Sequence, residues 1–584
     1  MPFIPFASFF VCNYIDAYAI QSPVIMGILF VALVVAALKK ELKIPLIALP
    51  WLALPLLLLV SINGKLEFAT NDMLLCFSML AGTILIFSQK ELYNKWLFRN
   101  MLICANLHLA MQIFGVIMGN EKIATSTIFP LANEIMFFYM LVSFSAVFAF
   151  CKEKDFWKKY AAIIGSLAFI SIVLGDPATI GKISGEDAVG IWLGLICGTL
   201  FSLTLFLWKK FNLPKIPILS LSALIFLTIM FAPIIAVNFP IFSPNSMEEA
   251  VSRLVNWQAA WNLIRENPFG IGFGAYGANI MQHWPTLEDA YAIYNGLVFT
   301  SAHNQYLQIL TEIGWLGLLY YSALFAFPWF IAIYRYLKTG ELHFLFIAGM
   351  LAAVLSVMEV AEAISMYAFI QIIHWGLLIY CVKAVLPILP EPCQKYLNLR
   401  FLYIIPLIPL IAYLFFDIGR QFYSMTFTAP IDRFIATTPE NYLKNLDKAL
   451  KIYPKNSSAL WHTSYANFLA DENEEALKAI DALEEISGHL RPINQLRIEV
   501  YLKMGNTEEA CEIANFIFNH FADNWTLRLK EKLGPNSSCY APNGFLITPL
   551  PLPSQKLLGV PVKTGMQPSL PLAQYVNTLC SSSA

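Results

Sequence analysis

The feature that most limits how this chain can fold is a succession of apolar stretches, twelve between residues 23 and 416, separated by short polar loops and one long one. A bilayer-crossing helix needs roughly 20 apolar residues, and somewhat shorter stretches reach both interfaces through snorkelling ends. With 58% hydrophobic and 13% charged residues among 584, and a mean hydropathy of +0.61, the chain is too apolar for a soluble domain of this size. Residues 1–20 are apolar but interrupted by Asn13 and Asp16. They fit either a short thirteenth span or a half-inserted helix, and they lack the charged leader and small-residue cleavage site of a signal peptide. The expected fold class is all-α: a polytopic membrane helix bundle of about 12–13 spans, with a large periplasmic loop and a C-terminal helical, tetratricopeptide-like (TPR-like) periplasmic domain.

The basic residues set the orientation. Lys39, Lys40 and Lys43; Lys90, Lys95 and Arg99; Lys152, Lys154, Lys158 and Lys159; Lys209, Lys210 and Lys215; Arg335 and Lys338; and Lys383, Lys395 and Arg400 fall in alternate loops. Under the positive-inside rule those loops are cytoplasmic, so the loop over 253–303 and everything after residue 416 face the periplasm. The chain then divides into N-terminal spans (1–238), a large periplasmic loop (239–310), C-terminal spans (311–418), a helical domain (419–535) and a Pro- and Ser-rich tail (536–584). In the helical domain Glu474-Glu475-Ala476 recurs as Glu508-Glu509-Ala510, and Tyr442, Ala449 and Pro454 fit the same frame. A 34-residue period is that of tetratricopeptide helix pairs; an unrelated helical domain with a chance repeat is the alternative.

A net charge of −1 gives no concentrated basic face for nucleic acid. The ten cysteines include no C-x-x-C pair and no His/Cys cluster at ligand spacing, so neither a metal site nor a redox motif is expected. A Cys539 to Cys580 disulfide is compatible with an extracytoplasmic C-terminal part.

Residues 253–317 form the one long polar interruption among the spans. Gly272 to Gly277 spell a formal G-x-G-x-x-G, but they follow Asn267-Pro268 in a loop rather than a buried strand, so a dinucleotide site is rejected. The glycines instead permit tight turns and close approach to a head group, or simply a flexible loop. His303 sits where the polar loop becomes a span; an imidazole there can accept a proton from an attacking hydroxyl or, when charged, stabilise a leaving phosphate. Arg253 and Arg265 offer the planar fork that binds phosphate oxygens bidentately. Attraction to anionic lipid, or a salt bridge to Glu266 or Asp289, would explain an arginine here equally. Asn133, Glu134, Asp176, Glu359, Glu362 and Tyr367 collect on the same side, where ionisable groups tend to face a cavity. His374, mid-span beside Trp375, is expected to be packed or to hydrogen-bond between helices.

The loop resembles that of O-antigen ligases, O-antigen polymerases and bacterial protein O-oligosaccharyltransferases. The residues carrying the resemblance are Arg253 and Trp257, then Pro268, Gly270, Gly272 and Gly274, then His303, Asn304, Leu307, Leu310, Glu312, Gly314 and Gly317. Two accessory patterns are only partly kept. Residues 358–368 retain Glu362, Tyr367 and Ala368 but lose a His, a Ser and a Pro, and Asn133 stands without its preceding Gln. The resemblance implies an inner-membrane enzyme, multi-pass with its catalytic face and C-terminus periplasmic. It would transfer a glycan from an undecaprenyl diphosphate carrier to Ser or Thr of pilins or other periplasmic proteins. The implied catalytic residues are His303 and Arg253; Arg265, Asn304, Glu312, Glu362, Tyr367 and Asn133 would bind substrate. Membrane lipid is an expected partner, and neither metal nor cofactor is implied. Alternatives are an O-antigen polymerase or ligase with a glycan or lipid A core acceptor and, from another class, a membrane transporter.

Overall fold

A computed structural model of the chain describes residues 17–39, 42–62, 69–88, 95–118, 132–174, 189–211, 244–286, 301–360, 368–385, 395–398, 405, 407–432, 439–488 and 491–520. Residues 1–16, the expected span over 216–237, Asp176, Glu362, Tyr367, Cys539, Cys580 and the tail over 536–584 lie outside these residues. So do the side chains of Asn133, Glu134 and Glu359.

Eighteen α-helices account for nearly all of the described chain. The N-terminal part comprises α1 (Ala17–Leu38), α2 (Leu49–Ser61), α3 (Ala69–Ser88), α4 (Lys95–Ile117), α5 (Ala132–Lys152), α6 (Asp155–Leu174) and α7 (Val189–Phe211). Then follow α8 (Pro244–Glu266), the one-turn α9 (Tyr276–Asn279) and the long α10 (Gln305–Thr339), with α11 (Leu342–Val360), α12 (Ala368–Val385) and α13 (Leu407–Asp432) after it. Strands β1 (Lys43–Pro45) and β2 (Tyr396–Asn398) pair antiparallel with Ile44 opposite Leu397, tying together the segments that follow α1 and α12.

Two helices, Ile191–Phe211 and Gln305–Thr339, are long and apolar enough by themselves to cross a membrane. The surface agrees with a lipid environment. Val31 (62% exposed), Val60 (85%), Leu316 (73%), Leu319 (65%) and Phe330 (61%) all point outward, an apolar display that a water-soluble surface does not carry. Because lipid tails are as apolar as leucine, such helices associate through close backbone approach at small residues. Gly194, Gly198 and Ser202 recur every fourth residue on α7, and Gly349, Ala353 and Val357 do so on α11. A Cβ added at Gly194, Gly198 or Gly349 would collide with the facing helix. Some buried polar groups find partners across helices: Tyr139 Oη donates to Gln112 Oε1 at 2.9 Å, and Trp375 Nε1 to Thr83 Oγ1 at 2.9 Å. His374 stacks on Phe325 at 5.3 Å and meets Phe137 edge-on, a packed residue as expected.

Beyond α13 come α14 (Pro439–Ile452), α15 (Ser457–Leu469), α16 (Asn473–Ser487), α17 (Arg491–Met504) and α18 (Thr507–His520), each packed on the next. The starts of α15 and α17, and of α16 and α18, are 34 residues apart. The repeated Glu-Glu-Ala therefore opens equivalent helices, with Ala476 and Ala510 both fully buried. Small residues at these positions let paired helices approach. Cys511 in α18 is disulfide-bonded.

Candidate active site

The site is assembled from α8, the glycine turn after it, and the first half of α10. Asn304 is the N-cap of α10: its side chain accepts from the Leu307 N–H at 3.0 Å, satisfying one of the donors left free at a helix start. The residue before it, His303, has φ 47, a left-handed conformation that a side chain with a Cβ adopts at some cost and that clusters at functional sites.

A buried polar network holds that turn. Asn256 on α8 donates from Nδ2 to the Ser301 carbonyl at 2.7 Å, and its Oδ1 accepts from the Tyr276 hydroxyl at 2.9 Å; Asn256 and Tyr276 are both fully buried. On the other flank Gln308 Oε1 accepts from the Ala302 N–H at 2.8 Å, while its Nε2 donates to Glu312 Oε1 at 2.7 Å. Backbone N–H groups of Gly274 and Tyr276 also reach the Glu312 carboxylate. Glu312 is thus enclosed by the loop's own backbone, 4% exposed.

The glycine turn is fitted to a break in α10. At Gly314 the helix is interrupted by φ 72, ψ −175, and the turn docks against this point: Ile271 N–H donates to Thr311 O at 3.0 Å, Gly272 N–H to Glu312 O at 2.9 Å, and Trp315 N–H to Pro268 O at 3.3 Å. Gly270 has φ 90, and a Cβ there would strike the Glu312 carbonyl; one at Gly314 would strike the Phe269 backbone. The close approach these glycines allow is between two stretches of main chain. Phe273 N–H extends the contact to Ser61 O at 3.0 Å, pinning the turn to the end of α2.

Arg253, half-buried on α8, lies close enough to His303 for its charge to act on the imidazole. Burial first, and the Arg253 charge second, push the His303 pKa down to about 3. The imidazole is therefore neutral near pH 7 and available as a proton acceptor. Trp257, one turn along α8 from Arg253, has a buried indole N–H with no acceptor among the described residues. Arg265 is exposed at the far end of α8, twelve residues from Arg253, or about 18 Å along the axis. The structure therefore brings His303, Arg253, Asn304 and Glu312 to one place and sets Arg265 apart. Asn133 is in the first turn of α5. Asn256, Tyr276 and Gln308, which hold the His303 turn, were not singled out from the sequence.

The C-terminal helices belong to the same assembly. Val255, Ala259, Ala260 and Leu263 of α8 share a core with Ile498 of α17 and with Ala510, Ala514, Ile517 and Phe518 of α18. A Cβ at Gly488, between α16 and α17, would strike Ala278 within α9.

Fold and site define a helical membrane protein whose polar loop, carrying an arginine and a neutral histidine, is seated on a broken span. Residues 186–322 match the family described as O-Antigen ligase (Wzy_C). That segment is about a quarter of the chain, and it contains Arg253, Arg265, His303, Asn304 and Glu312. Asn133, Glu362, Tyr367 and the helices after α13 lie outside it. No curated protein matches the chain. The loop segment is thus similar to O-antigen ligases, a superfamily of membrane-embedded glycan-transfer enzymes.

Proposed function

We propose that this protein is a multi-pass inner-membrane glycosyltransferase. It moves an oligosaccharide from an undecaprenyl diphosphate carrier to a hydroxyl of a periplasmic acceptor protein, in pilin-type O-linked glycosylation. The observation that carries the reading is the pairing of His303 with Arg253 inside the segment similar to O-antigen ligases. In the reaction the bond from the anomeric carbon to the diphosphate oxygen breaks and a bond to the acceptor oxygen forms. The hydroxyl proton passes to the neutral His303 imidazole, and the negative charge left on the diphosphate faces Arg253. Because the donor brings its own leaving group, the chain supplies orientation, proton acceptance and anion stabilisation.

Binding and basicity are coupled. A diphosphate beside Arg253 offsets the charge that depresses the His303 pKa, so the imidazole becomes a stronger base once the donor is bound. Asn304 and Glu312 act by holding the turn. Arg265 meets phosphates at the membrane surface, and Asn133, Glu362 and Tyr367 are assigned to the donor glycan.

A protein acceptor is favoured over a carbohydrate by the helices of residues 439–520. Their 34-residue spacing suits a TPR-like scaffold, and such scaffolds commonly bind polypeptide on a concave face. The disulfide on Cys511 supports a periplasmic location for that domain. The second reading, an O-antigen ligase or polymerase, uses the same chemistry with a glycan acceptor and is favoured by the family matched over residues 186–322. Co-expression in a bacterium that supplies an undecaprenyl-linked oligosaccharide and a pilin separates them. A glycan mass added to intact pilin, lost in Arg253→Ala, is expected; longer or lipid A-linked glycans on an unmodified pilin would select the second reading.

A further inference from the structure

The tip of the loop, at Asn267 to Gly270, lies level with the point where α10 becomes a lipid-facing helix. Pro268 O accepts from the Trp315 N–H at 3.3 Å, and Trp315 is the first residue after the break at Gly314. From there α10 turns Trp315 (45% exposed), Leu316 (73%) and Leu319 (65%) outward. The tip adds to this surface. Phe269 is 84% exposed, and Trp261 of α8, 47% exposed, meets the Trp315 ring edge-on at 6.3 Å. Arg265, one turn beyond Trp261 on α8, is exposed beside the same patch. An aromatic cluster with a guanidinium at its margin, continuous with a membrane helix, matches the chemistry of the bilayer–water interface. Tryptophan is enriched there, and arginine reaches lipid phosphates.

We infer that Trp261, Phe269 and Trp315 form an aromatic anchor that beds the loop tip in the bilayer interface, with Arg265 among the phospholipid phosphates. The occupant is the bulk phospholipid surface. Through the contacts of the glycine turn with Thr311 and Glu312, the anchor fixes the height of the His303–Arg253 pair above the membrane. The inference rests on α10 being a span and is independent of the reaction assigned to His303.

The test is photo-crosslinking of the full-length protein in native membranes, with a benzophenone amino acid placed singly at position 269, 316 or 475 and adducts identified by mass spectrometry. Position 316 reports the lipid face of α10, and 475, on the exposed side of α16, reports the aqueous domain. Phospholipid adducts at 269, approaching those at 316 and several-fold above those at 475, are expected. Three outcomes would overturn the anchor. These are no lipid adduct at 269 while 316 is labelled, an adduct at 269 to polyprenyl diphosphate alone, or an adduct at 269 to a second copy of the chain. Absence of lipid at 316 as well would remove the span on which the anchor depends, and the anchor with it, while leaving the chemistry of His303 to be judged by transfer assays.

Discussion

In the proposed reaction His303 serves as a base, and its neighbours set its strength. With its pKa held at about 3, against an ordinary value near 6.5, the imidazole of the free enzyme is unprotonated between about pH 5 and 8. The acid limb of kcat/KM, which reports the free enzyme, should therefore be absent over that range, whereas kcat, which reports the donor complex, should show one at higher pH. Arg253→Gln removes the Coulombic part of the depression and leaves burial, the larger part, so the kcat/KM limb should move up toward neutrality. Profiles of both proteins check this, and a wild-type kcat/KM limb near pH 6.5 would speak against it. The network under His303 gives a second expectation. Asn256→Ala strands the Tyr276 hydroxyl and the Ser301 carbonyl, at a cost of about 1–3 kcal/mol, and should lower both the thermal midpoint and the transfer rate; an unchanged midpoint would contradict the network. These residues carried no signal in the sequence. An Asn or Gln on a loop helix reads as a solvated position, and the partners of Asn256 lie 20 and 45 residues away.

At the scale of elements, the glycine turn and the broken α10 act as one joint. Gly270→Ala and Gly314→Ala each place a methyl against main chain at a positive φ, so each should cost about 1–3 kcal/mol and unseat the turn, with loss of transfer. Gly419→Ala in α13, with nothing within 4 Å of its Cβ, should be neutral or stabilising by up to about 1 kcal/mol. Thermal midpoints of the three variants in nanodiscs check the contrast. The residues of this joint were legible in sequence, since the glycines stand out in the family-like pattern. Their role was not: a glycine announces close approach, and only the fold shows that the approaching group is the backbone of Glu312 and Gly314 rather than a lipid head group.

Across the whole molecule, the C-terminal helices brace the loop. The 34-residue period was visible because each helix pair repeats the same small-residue contact at Ala476 and Ala510. The docking of α17 and α18 onto α8 was not, because it joins apolar residues some 250 positions apart and leaves no local pattern. Ile517→Ala, deep in that shared core, should cost about 2–5 kcal/mol. Limited proteolysis should then cut near α8 sooner than in wild type, and an unchanged cleavage pattern would separate domain from loop. The membrane reading rests on apolar helices and their outward-facing side chains, the feature most plainly written in the chain.

The pairing of His303 with Arg253 as the transfer site is tested most directly in nanodiscs, with a defined lipid-diphosphate glycan and a hydroxyl acceptor, by comparing single-turnover transfer rates of wild type and His303→Gln. Removal of the proton acceptor should slow transfer by about 10²–10⁴-fold while the thermal midpoint stays that of the wild type. A His303→Gln variant that folds and transfers within about threefold of wild type would contradict the role given to this histidine.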